Sequence, residues 1–534
     1  MVEKIQLDTN YNSDNEGYVK ARYTHLSASR DVFLQRAREA SAITIPSLMP
    51  REGHNSHNNL VTPYQSVGAR GVNNLSSKLL LTLLPPNSPF FRLIIDDQEM
   101  QELTKGSDKG VIEEALSKVE RAVMQEIEVK AIRVPVFEAL KQLIVTGNVL
   151  LFMPPKGGLR VFKLDRFVCK RDMMGNILEI ITLESLAYKS LPESAKELLT
   201  ENEGSTADLR NVDLYTCVKL EKNRWKVHQE IEGMVVPGSE GSYPKNKLSW
   251  IPLRFTRIDG EDYGRGYVEE YIGDLRSLEA LTKAIVEGSA AAAKVLFLVR
   301  PNGTTRLKTL ADSPNGAIVT GDANDVTTLQ IQKATDFRIA ESTAKVLEDR
   351  LAYAFLLNSA IQRDAERVTA EEIRLMSQEL EASLGGIYSL LSQEFQLPMV
   401  NLMMNAMQKD KKLPKFPDES LKPLIVTGVE ALGRGQDLNK LANFLKHLQP
   451  FGPEILQREM NIRDYIDRLG ASLGIDMDGL VKSQEQLQQE AQQAQEQQQQ
   501  AMMQEGMKNV AEKAAPQMMI NAAQNQDMQQ QEGQ

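Results

Sequence analysis

The sequence predicts an α+β protein made of several units, and three observations predict it. Two long amphipathic helical stretches, residues 263–289 and 335–357, flank roughly forty residues of turn-rich, strand-like chain. Residues 149–252 switch to short runs of β-branched and aromatic residues separated by turn signals. Residues 484–534 hold 19 Gln, and no Lys or Arg falls between Ser483 and Met507, so this tail cannot close a core of its own. No stretch near the long helices carries the pattern of a catalytic pocket. Helices that pack against copies of themselves are the leading expectation, and two ordinary core helices are the alternative.

Residues 29–42 read as a helix ended by Ile45-Pro46. Residues 65–84 resume the helical period through Val67, Val72, Leu75, Leu79 and Leu83, and Pro85-Pro86 stops it. A short strand at 90–95, a helix at 111–132 and another at 135–146 follow, the last with Pro135 in its first turn. Seven short strands are expected between 149 and 236, with one helix near 194–199. In the first long helix Val268, Tyr271, Leu275, Leu278 and Ile285 share a face, and in the second Leu347, Leu351 and Phe355 do. Between them, strands are expected at 295–299, 318–319 and 329–331. Lys294, Arg300, Arg306 and Lys308 there precede Asp312, Asp322 and Asp325, a polarity suited to contacts between adjacent copies and equally to a solvated excursion. Thr369 and Glu372 form a capping box for a helix that Pro398 should kink or end near Phe395. Shorter helices are expected at 438–448 and 454–469.

Composition excludes several classes. The 534 residues are 42% hydrophobic and 25% charged, enough for two to four cores. A net charge of −10 argues against a nucleic-acid-coating role, but not against a surface past which DNA slides. Cys169 and Cys217 make neither a disulfide scaffold nor a cysteine zinc site, so a reducing compartment is the default. The N-terminus lacks a signal-peptide layout, and no apolar run is long enough to cross a bilayer, so a soluble, non-membrane protein is expected.

Catalytic motifs are not found. Lys105-Gly106-Ser107 has the wrong order for a phosphate loop. Gly264-x-Gly266 lacks the third glycine and the preceding strand of a dinucleotide loop, and reads as a turn where two backbones approach closely. His54 and His57 have no further donors nearby, and Asp259, Glu261 and Asp262 read as solvated surface. No cofactor, metal or enzymatic activity is expected.

The order and spacing of several segments carry a family resemblance. They are Gln65-Ser66-Val67-Gly68-Ala69-Arg70-Gly71-Val72-Asn73-Asn74-Leu75, Phe137-Glu138-Ala139-Leu140-Lys141-Gln142-Leu143, Asp262-Tyr263-Gly264-Arg265-Gly266-Tyr267-Val268-Glu269-Glu270-Tyr271 and Asp274-Leu275-Arg276-Ser277-Leu278-Glu279. Arg367-Val368-Thr369-Ala370-Glu371-Glu372-Ile373-Arg374 and Gly433-Arg434-Gly435-Gln436-Asp437-Leu438 complete the set. Over most of residues 20–480 the chain resembles the portal, or head-to-tail connector, proteins of short-tailed podovirus-type phages.

The resemblance implies a portal-type multidomain α+β subunit with long stem helices, a β-rich wing and clip and a helical crown, assembling as a ring. Carried over, residues 1–262 are the N-terminal wing region, 263–289 and 335–357 the stem helices, and 290–334 the clip. Residues 358–369 are the channel loop, 370–424 a long wing helix with the segment after it, 425–482 the crown and 483–534 the Gln-rich tail. The implied ring has about twelve copies at one capsid vertex of the virion, assembled in the host cytoplasm. Double-stranded DNA passes through it without sequence recognition, driven in by the terminase large subunit and released at infection. Further implied partners are tail adaptor and tube proteins, capsid and scaffold proteins, and internal core proteins. Twelve chains of −10 carry −120, which repels phosphate and keeps DNA from sticking. Arg363 and Arg367, tempered by Asp364 and Glu366, are the candidate channel-loop contacts. Lys294, Arg300, Arg306 and Lys308 are the candidate clip docking surface. Another virion structural protein, a tail adaptor or a scaffold, is the alternative.

Overall fold

The computed structural model describes residues 17–54, 58–86, 89–94, 109–154, 157–199, 211–292, 296–329, 334–357, 370–384, 386–413, 424–427 and 434–448, with single positions between 450 and 470. Residues 358–369, expected to be the channel loop, lie outside these residues, and so do Lys294, His57, the expected N-cap Thr369 and the Gln-rich tail.

The chain runs α1 (Tyr18–Ala42), α2 (Val67–Leu83), β1 (Phe91–Ile94), α3 (Lys109–Val129), α4 (Arg133–Thr146), β2 (Asn148–Phe152), β3 (Arg160–Phe162), β4 (Phe167–Arg171), β5 (Ile177–Ala187) and α5 (Glu193–Glu197). It continues with β6 (Asn211–Glu221), β7 (Arg224–Ile231), β8 (Met234–Val235), β9 (Gly241–Pro244), β10 (Trp250–Arg254), α6 (Tyr267–Glu270), α7 (Ile272–Ala292), β11 (Leu296–Val299), α8 (Leu307–Ala311), β12 (Val326–Leu329) and α9 (Ala334–Ala354). After these come α10 (Ala370–Leu384), α11 (Ile387–Leu391), α12 (Leu397–Lys409), β13 (Leu424–Thr427) and α13 (Arg434–Leu448).

Helix α1 begins at Tyr18, well before the predicted start. Its buried face includes Arg30, a residue that breaks the apolar period; its Nη1 is well partnered, while Nε has no hydrogen-bond partner. Nη1 donates to the Tyr23 hydroxyl at 2.9 Å and to the carbonyls of Leu164, Asp165 and Phe167 at 3.4, 3.2 and 3.2 Å. The Glu230 carboxylate accepts from the Val19 amide at 2.8 Å, the favourable place for an anion at a helix N-terminus. Helix and sheet are thereby tied at both levels.

All sheets are antiparallel among the described residues. The largest is a six-stranded meander ordered β4-β5-β6-β7-β8, with β9 also on β7. A second has the order β10-β2-β3. Strand β10 lies beyond the predicted strands and holds Pro252, which it tolerates because it is an edge, where a proline can sit without costing a ladder bond. Strand β1 pairs with β13, so residues 424–427 return to the N-terminal region and do not open a new unit.

The expected single wing helix is broken. Helix α10 stops at Leu384, the chain turns through Gly386 (φ 89°), and Ser392–Gln396 form a π-helical turn between α11 and α12. Pro398 sits in the first turn of α12, where its missing N–H costs nothing. The main core joins α2, α4, β2 and β10 with the two long helices and the methionine-rich face of α12. The chain divides into two compact units, Met1–Asp437 and Leu438–Gln534. No helix among the described residues is long and apolar enough to cross a membrane.

Candidate functional site: stem and clip

Helices α7 and α9 are antiparallel partners of 21 residues each, about 30 Å long. The first long helix is interrupted: α6 ends in a turn at Tyr271, and α7 then runs past the predicted end to Ala292. The predicted packing residues are used inside the chain. Val268, Leu275, Leu278, Leu347, Leu351 and Phe355 are buried in the main core, with Tyr271 packed against it and Ile285 half-buried. This corrects the expectation that the stripe is shared between copies, because hydrocarbon already covered within the subunit cannot be buried again by a neighbour.

The stem base is an aromatic cluster. Phe355 lies edge-on to Tyr267 at 5.7 Å between centroids, and Tyr271 and Phe255 flank them. The Tyr267 hydroxyl donates to the Ala354 carbonyl at 2.9 Å, and burial pushes its pKa well above the usual phenol range, so it stays a donor. Gly71 of α2 is required here, since a Cβ would lie 2.5 Å from Phe355 Cγ. Beneath it the backbone of 264–266 crosses that of 146–148. A Cβ on Gly147 (φ 76°) would meet Arg265 C at 2.4 Å, and one on Gly266 would meet Val145 O at 2.6 Å. Asn148 clamps the crossing, accepting from the Gly264 amide and donating to its carbonyl, both at 2.7 Å. The Gly264-x-Gly266 pair therefore serves close backbone approach.

The exit toward residues 358–369 is anchored from α2. Asn74 Nδ2 donates to the carbonyls of Phe355 and Leu356 at 3.0 Å each, and Lys78 Nζ donates to Leu356 at 3.1 Å. Cationic and amide donors are what the open carbonyls at a helix C-terminus require. Burial lowers the Lys78 pKa, and Glu379, 3.9 Å away, opposes that shift. Sequence reasoning missed this anchor. Asn74 stood within the quoted family segment, but its partners are some 280 residues away.

At the far end, β11 and β12 pair with Leu296 opposite Leu329. Residues 318–319 are not a strand: Ile318 is fully exposed, between turns and without a partner strand. This unit, expected to be the clip, is organised around Asp325. Its carboxylate accepts from the amides of Thr304 (2.7 Å) and Thr305 (3.2 Å) and from both hydroxyls (3.2 and 3.3 Å). Desolvation raises the Asp325 pKa, but these hydrogen bonds outweigh it and hold the group below the usual carboxylate value. Gly303 permits the approach, because a Cβ there would meet Asp325 Cγ at 2.4 Å. Asp322 caps its own turn, accepting from the Asn324 amide at 2.9 Å. Asp322 and Asp325 were read as an acidic half facing a neighbour; Asp325 faces inward and Asp322 is engaged locally. Arg300, Arg306 and Lys308 are exposed on this unit, and Lys294 precedes the described part of β11.

The other sequence candidates do not gather. Asp262 accepts from the Arg171 amide at 2.8 Å and lies 2.9 Å from Lys170 Nζ, while Glu261 pairs with Arg265 at 2.9 Å. Among the described residues no group of three or more potential metal ligands forms. Arg363, Asp364, Glu366 and Arg367 fall in the loop outside the described residues.

The family of bacteriophage head to tail connecting proteins matches residues 16–481. The portal protein of Escherichia phage T7 is 41% identical over 515 residues, covering 95% of each chain. The portal protein of Enterobacteria phage T3 is 42% identical over 89% of this chain and 90% of its own, and that of Enterobacteria phage SP6 33% over 90% and 93%. Among solved structures, a chain from the neck of an empty gene transfer agent particle, treated with C6 symmetry, covers 75% of this chain and 89% of its own at 10% identity and a TM-score of 0.33. With the family matched across nearly the whole described chain and relatives of this identity, the protein belongs to the bacteriophage head-to-tail connecting protein family, as a portal protein of the phage virion.

Proposed function

We propose that this portal protein forms a closed ring of about twelve copies at one vertex of the capsid, through which terminase drives double-stranded DNA and from which DNA leaves at infection. The observation that carries the reading is family membership over residues 16–481 together with a stem hairpin whose open end is a compact clip. Each copy contributes the loop 358–369 to the bore. Asn74 and Lys78 fix the chain at Leu356, just before that loop. Arg363 and Arg367 touch the passing phosphates, and Asp364 and Glu366 weaken the contact so that DNA slides. A net charge of −10 per chain works in the same direction.

Lys294, Arg300, Arg306 and Lys308 form the clip's docking surface, first for the terminase large subunit and later for the tail adaptor. Exposed cations of this kind set encounter rates more than total affinity. The tail tube, capsid, scaffold and internal core proteins are the remaining partners of the assembled vertex. Antibody labelling of particles from infected cells tests the assignment: one labelled vertex per head is expected, and label spread over all vertices contradicts it. Replacing Arg363 and Arg367 together by Ala should leave particles assembled but change DNA packaging or retention. Unchanged packaging and retention would remove the loop from the mechanism.

A further inference from the structure

The intrachain use of the predicted stripe leaves another face of the stem open. On α9, Ile339, Val346 and Tyr353 are 63%, 56% and 80% exposed and stand seven residues apart. Seven residues are close to two helical turns, so the three form one continuous ridge about 20 Å long. On α7, Gly273, Ser277, Ala280, Ala284 and Ala291 are exposed and follow the same alternation of three- and four-residue steps, with Glu287 completing it. Large side chains line one helix and small ones the other. Such an unlike pair of faces suits a head-to-tail contact between identical chains, which is the contact that closes a ring.

The register can be read from the hairpin itself. Asp274 pairs with Arg350 at 3.1 Å near the base, and Gly288 meets Phe337 near the clip. Moving up one helix is thus moving down the other at the same rate. For a hairpin parallel to the rotation axis, neighbouring copies keep these heights, which sets Tyr353 of one copy level with Gly273 of the next, Val346 with Ala280, Ser342 with Ala284 and Ile339 with Glu287. At the same heights Asp349 faces Arg276 and Glu341 faces Lys283, opposite charges in both cases; Arg276 and Lys283 each already have one carboxylate neighbour, Glu39 at 2.6 Å and Glu287 at 3.9 Å. We propose that Val346 and Tyr353 of each copy seat on the small-residue face Gly273–Ser277–Ala280 of the adjacent copy's first stem helix. The proposal rests on the ring reading and adds which faces meet and in what register.

Cysteine pairs test it on the full chain, since the native Cys169 and Cys217 are buried. Purified V346C/A280C treated with a short bismaleimide should give a ladder of covalent multimers on a denaturing gel, at least tenfold stronger than V346C/V286C, whose second position lies off the small-residue face. Micrographs of the same sample separate the two readings. Rings without a V346C/A280C ladder overturn the seam and leave the ring standing, whereas no rings at all overturn both. A second variant checks the packing without crosslinking: V346D, at an exposed position, should keep the thermal unfolding of the subunit and lose rings. Rings in V346D as stable as in the parent chain would also overturn the seam.

Discussion

The two ends of the stem hairpin are held by opposite chemistry. At the base, Leu351 and Phe355 are fully buried beside Tyr267, Tyr271 and Gly71, and the forces are apolar area and close packing. At the clip, a two-stranded ribbon too small for a core is organised by one carboxylate and two threonines. The base is therefore coupled to the whole body of the subunit, while the clip can loosen alone. A rigid base with a locally stabilised tip fits the proposal that the outer end of this hairpin docks different partners in turn.

Truncation at the base should separate the ends most sharply. Leu351→Ala removes a fully buried side chain and should cost about 2–5 kcal/mol in global stability, read by denaturant unfolding. The clip's own hydrogen-exchange protection should persist until the subunit unfolds. Gly71→Val forces an isopropyl group into Phe355 and should cost about 1–3 kcal/mol, displacing the chain where it leaves toward residues 358–369. Equal loss of protection at the clip in either variant would erase the distinction.

Asp325→Ala should do the reverse, raising amide exchange across 296–329 roughly tenfold while the body's unfolding midpoint holds. The pH response follows from the sign of the shift. The folded-state pKa of Asp325 is lowered, so its contribution is present above the ordinary carboxylate value of 3.8 and is lost as pH falls through the folded pKa below it. Exchange confined to the clip should therefore rise at acid pH, and D325A should abolish that response. The smallest effect belongs to the Arg350–Asp274 pair, whose arginine is 62% exposed. Arg350→Ala should change stability by about 0–1 kcal/mol, and a larger loss would show that the stem's outside matters more to the isolated subunit than its inside.

Periodic elements were legible because burial imposes a period. Leu275, Leu278, Leu347 and Leu351 announce their helices, and β4 to β7 announce a meander. What stayed hidden was burial that breaks the pattern: Arg30 in α1, whose Nη1 reaches three carbonyls, and Pro252 in a strand that happens to be an edge. The irregularity that Pro398 predicts near Phe395 is present as the π-helical turn Ser392–Gln396, and a second break, which the sequence did not announce, falls at Gly386. In the clip, Asp325 looked like surface charge because nothing in the local sequence reveals two threonine amides twenty residues earlier turning toward it. The stem stripe was read correctly as apolar. Its partner was not legible, since period alone does not say whether a face meets its own chain or a copy.

Electron micrographs of the purified full-length chain, averaged by class, test the central claim most directly. The account predicts annular particles with rotational symmetry near twelvefold and a central opening wide enough for duplex DNA. Isolated subunits at high concentration, or open filaments in place of closed rings, would contradict it.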